Sequence, residues 1–195
     1  MRKTWAAKPP DPFTCEICIL AGGLSRRMGR SKSVLRLGDR TMLGQIKLMA
    51  KRTGWPVRII RRDLLPSLGP VGGIHAALTT TRTDAVVFLA CDMPFVEVDL
   101  IERIIETWRR GSDAVFTKGK FRVGFPFLLS RAKLEVLTSD ILERGCSLQL
   151  LAKTLKAKLL RSPQRWKNQL LNVNTPPEWQ RAKKLWTQRE SLGSQ

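Results

Sequence analysis

The run Ala85-Val86-Val87-Phe88-Leu89-Ala90 places six apolar residues in a row with no polar interruption. A strand on a half-solvated sheet alternates apolar with polar residues. An unbroken run implies a strand covered on both faces, as in a parallel sheet with helices above and below. Parallel neighbours need long crossovers, so helices must alternate with strands along the chain. The pattern predicts strands over 17–20, 56–60, 85–90 and 113–116, at 159–160 and over 170–173, with extended, proline-interrupted chain over 119–129. It predicts helices over 42–52, 74–80, 100–110, 131–137, 148–155 and 177–190. In the 100–110 segment, Ile101, Ile104, Ile105 and Trp108 form one apolar stripe. The expected fold class is α/β: a single domain with a doubly wound, mostly parallel sheet over 14–190. A proline-bearing flexible lead is expected over 1–13 and a flexible tail over 191–195.

In such sheets ligands bind beyond the carboxyl ends of the strands. After the first strand comes Leu20-Ala21-Gly22-Gly23-Leu24-Ser25-Arg26-Arg27-Met28-Gly29-Arg30-Ser31-Lys32. Glycines let successive backbone N–H groups approach a phosphate closely, while Arg26, Arg27 and Lys32 add positive charge near the same point. The string is neither a P-loop, which needs Gly-Lys-Ser/Thr, nor the dinucleotide fingerprint GxGxxG. It reads as a phosphate cradle, against the plainer alternative of a solvated basic turn.

Two further elements fall at strand ends. Asp92, in Cys91-Asp92-Met93-Pro94, follows the central strand, where a carboxylate can hold Mg²⁺ on bound phosphates or simply cap the next helix. Gly69-Pro70-Val71-Gly72-Gly73 opens a helix at which backbone can approach a base or sugar, or merely turn. Just before it, Asp63 can accept from the N1–H and N2 donor pair of guanine, or stand as an ordinary loop carboxylate.

The 195 residues carry 35 Lys plus Arg against 16 Asp plus Glu, a net charge of +19. From 153 to 190 there are ten basic and two acidic residues, interleaved with Trp166, Trp179 and Trp186. That suits an electrostatic funnel for a polyanion, or a basic surface whose tryptophans pack a terminal helix. No nucleic-acid-reading motif accompanies it, so nucleic acid is not an expected partner. Cys15 and Cys18 lie three apart on the first strand, so their sulfurs diverge and neither a disulfide nor a zinc site is expected. A lone His75 leaves little material for histidine-based catalysis. The apolar runs are too short to span a bilayer and no signal peptide is expected, which points to a cytoplasmic protein.

Read together and in order, L-A-G-G-x-S-x-R-M-G-x-x-K, G-P-V-G-G, C-D-M-P-F and Asn172-Val173-Asn174-Thr175-Pro176-Pro177-Glu178 resemble the molybdenum cofactor guanylyltransferases, within the wider MobA-like nucleotidyltransferases. Phe125-Pro126-Phe127-Leu128-Leu129 is similar to a family segment lining the acceptor side. The resemblance implies a Rossmann-like nucleotidyltransferase with GTP and molybdopterin as substrates and Mg²⁺ as cofactor. It implies that Leu20, Ala21 and Gly22 contact the nucleotide through backbone, within a binding loop that includes Gly23, Ser25 and Gly29. Lys32 and Arg26 would act on the phosphates, Asp63, Gly69 and Gly72 on the nucleoside, and Asp92 on nucleotide and metal. Asn172 and Asn174 would face the acceptor. Ser31 stands where the family usually has Asp, and the segment between Arg52 and Asp63 lacks an Asn-bearing turn common in the family.

The implied reaction is in-line attack of the acceptor's terminal phosphate on the α-phosphorus of GTP, releasing pyrophosphate. That phosphate, with a second pKa of about 6, needs no general base. Transient contact with molybdoenzymes or their chaperones and a monomer or weak oligomer are expected. Cytidylyl transfer, a sugar- or alcohol-phosphate acceptor, and a catalytically idle nucleotide- or nucleic-acid-binding module stand as alternatives.

Overall fold

The computed structural model describes residues 13–21, 35–61, 70–119, 122–144, 147–161 and 163–193. Strand β1 (Cys15–Leu20) is followed by a small hairpin, β2 (Arg36–Leu37) and β3 (Arg40–Thr41), and helix α1 (Met42–Arg52). Thr41 caps α1, its hydroxyl accepting from the Gly44 N–H. Then come β4 (Val57–Ile60), α2 (Pro70–Thr80), β5 (Ala85–Ala90), α3 (Val98–Arg109), β6 (Ala114–Lys118) and β7 (Val123–Ser130). A single 3-10 turn, Arg131–Lys133, leads into α4 (Leu134–Arg144), followed by α5 (Leu148–Thr154), β8 (Lys158–Arg161) and the long α6 (Pro176–Gly193).

Six strands form one sheet in the order β4-β1-β5-β7-β6-β8. All run parallel except β7, which is antiparallel to both β5 and β6. The central strand therefore has a parallel neighbour on one side and an antiparallel one on the other. Its two faces behave as the apolar run requires. Ala85, Val87 and Leu89 join Ile17, Ile19, Ile101, Ile104 and Ile105 in one buried cluster. Val86 and Phe88 join Cys18, Ile74, Leu78, Phe127 and Leu151 in the other. Cys15 and Cys18 fall in opposite clusters, as their spacing demands, and both are free thiols.

Some expectations needed correction. Residues 170–173 form no strand; they lie in a turn and irregular chain after a 3-10 turn at Gln164–Trp166, docked against α3 and α6. Their apolar side chains, Leu171 and Val173, serve a third cluster instead of a sheet. Helix α2 begins at Pro70, four residues before expected, because proline's fixed φ suits a first helical turn and tertiary packing overrides the paired glycines. Helix α6 runs on to Gly193, three residues into the expected tail. In β7, Phe125 and Pro126 are the extra residues where the pairing with β6 slips between Phe116 and Thr117. A proline cannot donate to a ladder, and a bulge is where a strand tolerates one.

Candidate active site

The carboxyl ends of β1 and β5 lie side by side. Leu20 pairs with Ala90, the Cys91 N–H donates to the Leu20 carbonyl at 3.2 Å, and the Ala21 N–H donates to the Ile60 carbonyl at 2.8 Å. A cavity of about 500 Å³ opens there, its wall shared by Leu20, Asp92, Asn172 and Asn174, with Phe125 and Arg122 opposite. Four residues drawn from three distant stretches of sequence are thus brought to one place.

Asp92 is half-buried at the strand end. Its carbonyl accepts the Val173 N–H at 2.9 Å, so the middle of Asn172-Val173-Asn174 is bonded to the turn that carries the carboxylate. Val173 is fully buried with Met42, Phe95 and Ala182, flanked by Leu35 and Trp186. That cluster holds the two asparagines at its edge while the valine between them anchors the chain. It also receives Leu35, whose carbonyl accepts the Met42 N–H at 2.8 Å. Leu35, the first described residue after the glycine-rich stretch, thus joins the cluster of Val173, which is bonded to the Asp92 turn.

Two supports were not anticipated from sequence. Glu178, at the third position of α6, accepts the Asn174 N–H at 2.7 Å. Thr175 accepts at its own hydroxyl from the Glu178 N–H at 3.4 Å. The Thr-x-x-Glu spacing is a helix-start signature that could have revealed this pair. Asp99, in the first turn of α3, accepts from Trp166 Nε1 at 2.7 Å and from Gln169 Nε2 at 2.9 Å. Gln169 in turn accepts the Glu97 N–H at 3.1 Å. This clamp fixes the chain leading into Asn172, and no local pattern announces it.

Other expected site residues fall as follows. Gly72 is buried in the first turns of α2, and Pro70 is the residue of that segment on the cavity wall. Of the 125–129 segment only Phe125 reaches the cavity; Phe127, Leu128 and Leu129 are core. Gly22, Gly23, Ser25, Arg26, Gly29, Lys32, Asp63 and Gly69 lie outside the described residues, as do Cys146 and most of the N-terminal lead. His75 takes no part: its Nε2 meets Thr138 Oγ1 at 3.0 Å, joining α2 to α4. The three tryptophans of the basic C-terminal stretch pack inward, Trp166 beneath α3 and Trp179 and Trp186 around the third cluster.

The cavity's donors suit one kind of metal. Among the described residues no three His, Cys, Asp or Glu side chains converge as a cage. A single carboxylate beside an open cavity suits a hydrated divalent cation that keeps most of its water and binds through one or two carboxylates plus substrate phosphates.

The profile of the MobA-like NTP transferase domain matches residues 17–63 and 45–158, most of the chain. The chain belongs to this family. Solved structures share the present fold across nearly their whole length. The crystal structure of molybdopterin-guanine dinucleotide biosynthesis protein A from Archaeoglobus fulgidus superposes with a TM-score of 0.68 at 21% identity, covering 89% of this chain and 99% of that one. A Mycobacterium tuberculosis H37Rv protein crystallised in complex with manganese gives 0.62 at 18% identity, covering 88% and 98%. In sequence, a protein from Carboxydothermus hydrogenoformans named as a probable molybdenum cofactor guanylyltransferase is 26% identical over 195 residues, spanning 89% of this chain and 98% of its own. One of the same name from Methanothermobacter thermautotrophicus is 30% identical over 118 residues, which cover 50% of this chain and 60% of that relative. The family makes the chain a nucleotidyltransferase.

Proposed function

We propose that the chain transfers GMP from GTP to the terminal phosphate of molybdopterin, releasing pyrophosphate and forming the guanine dinucleotide. The observation that carries this reading is the shared wall: the strand-end carboxylate of Asp92 and the asparagine pair at 172 and 174 face one cavity, with Leu20 at the root of the glycine-rich loop. The names of the relatives support guanine as the base and molybdopterin as the acceptor.

In this mechanism the backbone at Leu20, Ala21 and Gly22 contacts the nucleotide, and the loop's glycines, Gly23 and Gly29 with Ser25, wrap its phosphates. Lys32 and Arg26 offset charge on the β- and γ-phosphates, and Asp63, Gly69 and Gly72 sit against the nucleoside. Asp92 would hold Mg²⁺, which would supply positive charge to offset that of the phosphates. Asn172 and Asn174 orient the acceptor, whose phosphate oxygen forms the new bond to the α-phosphorus as the bond to the β-phosphate oxygen breaks. Positioning and charge neutralisation supply the rate; proton transfer is not demanded of any side chain. The protein would act in the cytoplasm, as a monomer or weak oligomer, with transient contact to the molybdoenzymes or chaperones that take its product.

The deciding experiment incubates the full chain with molybdopterin, MgCl₂ and each of GTP, CTP, UTP and ATP in turn, following pyrophosphate release. Release with GTP well above the other three is expected. No release with GTP, or a first rank for CTP, overturns the reading.

A further inference from the structure

Strand β8 is the edge of the sheet, hydrogen-bonded to β6 on one side only. Among the described residues nothing pairs with the outer backbone N–H and carbonyl groups of Lys158–Arg161. Lys158, Leu159 and Arg161 are exposed, and Leu159 keeps 39% of its surface in water. Two cavities flank this edge, of about 650 and 540 Å³, and both are lined by Lys118 and Arg161. One continues to Lys167 and Gln164; the other runs back to Lys156 and Lys158.

Lys118, Lys156, Lys158, Arg161 and Lys167 make no ion pair among the described residues. Among the described residues, the one acidic side chain on either wall, Asp113, is already bridged to Lys133 at 2.8 Å. Five uncompensated cations on and around one open strand attract an anion. An unpaired strand edge accepts another strand. An exposed leucine between lysine and arginine offers apolar contact at the same place.

We propose that the β8 edge docks an acidic, extended segment of a partner protein, which adds as a further strand and sets its carboxylates against these cations. A polypeptide fits better than nucleic acid. Backbone N–H and carbonyl groups recognise peptide, and among the described residues no aromatic side chain lines either cavity for bases to stack on. The Arg161 end of this site lies at the end of the sheet used by the Asp92 cavity. Lys118 pairs with Val123, which lines that cavity. A partner held here is therefore placed beside the mouth of the active site. The inference does not depend on which nucleotide is transferred.

The test titrates the full chain into three fluorescein-labelled probes at low salt, read by anisotropy: an alternating glutamate–valine octapeptide, an alternating glutamate–proline octapeptide of equal charge, and a twelve-residue oligothymidylate. Binding of the glutamate–valine peptide, loss of it for the proline peptide, and about tenfold weakening in the Lys158→Glu, Arg161→Glu double variant are expected. Both substituted residues are exposed, and an unchanged unfolding temperature checks the variant's fold. Equal binding of the proline peptide removes strand addition, and tighter binding of the oligonucleotide assigns the edge to nucleic acid. Either result, an unchanged affinity in the folded variant, or no peptide binding at all overturns the proposal. The peptide comparison stands even if the variant fails to fold.

Discussion

The backbone N–H of Val173 donates to the backbone carbonyl of Asp92 at 2.9 Å, across 81 residues of sequence. That one bond holds the asparagine-bearing segment to the strand-end carboxylate. It makes the nucleotide side and the acceptor side of the proposed reaction a single rigid piece. The side chain of Asp92 can therefore be altered without disturbing the tether, which uses only its main chain.

Replacing Asp92 with alanine should lower the rate of pyrophosphate release several hundredfold, corresponding to about 3–4 kcal/mol of barrier by analogy with a lost electrostatic contact. Because Asp92 is half-exposed, the unfolding free energy from urea titration should stay within about 0.5 kcal/mol of the parent's. A variant that turns over at the parent rate would remove Asp92 from the mechanism.

Glu178 stabilises the start of α6 and holds the Asn174 N–H. Glu178→Ala should cost about 1 kcal/mol of stability. It should raise the KM for the acceptor while leaving the KM for the nucleotide unchanged, because the proposed mechanism assigns Asn174 to the acceptor. Steady-state kinetics with each substrate varied separately distinguishes this from a general loss of activity.

Gly38 turns the β2–β3 hairpin at φ +61°, and a Cβ there would lie 2.5 Å from Trp186 Nε1. Gly54 has φ +80° but open space around it. Both alanine variants bear the left-handed backbone cost of about 1 kcal/mol. Gly38→Ala should lose a further ~1–2 kcal/mol by forcing α6 off the hairpin, as with other overpacked sites. Equal unfolding free energies for the two variants would show that Trp186 yields without cost.

Burial pushes both the Cys15 and Cys18 thiols up to about 12 from an ordinary value of 9.0. Above pH 9 the unfolded chain gives up these protons while the folded chain keeps them. Stability present below pH 9 is therefore lost progressively as pH rises toward about 12. The chain has no tyrosine to confuse this window. Urea midpoints measured from pH 8 to 11 should fall, and Cys18→Ala should flatten the decline. An identical slope in that variant would assign the alkaline loss to groups other than Cys18.

Much of the fold was legible because its signals are local. The apolar run 85–90 announced a strand buried on both faces, and Val87 and Phe88 indeed lie in opposite clusters. Met42–Arg52 was bounded correctly because Thr41 is a ready cap. Asp92 was placed at a strand end because Pro94 forces the chain to turn soon after. The failures share a cause. Leu171 and Val173 have the composition of a strand, yet they pack into a side cluster beneath α6 and not onto a sheet edge. The β2–β3 hairpin has only two residues per strand, too short for any periodicity.

By itself the sequence determined which segments are apolar enough to be buried, where helices can start, and which carboxylate ends a central strand, since these depend on neighbours a few residues apart. Only the tertiary structure decided that β7 enters antiparallel between β5 and β6, that Asp99 grips Trp166 and Gln169, and that Asn172 and Asn174 come to the wall of the Asp92 cavity. Such contacts join residues tens of positions apart. Their energy comes from the fit of surfaces that exist only after the chain has closed on itself, and no local pattern encodes it.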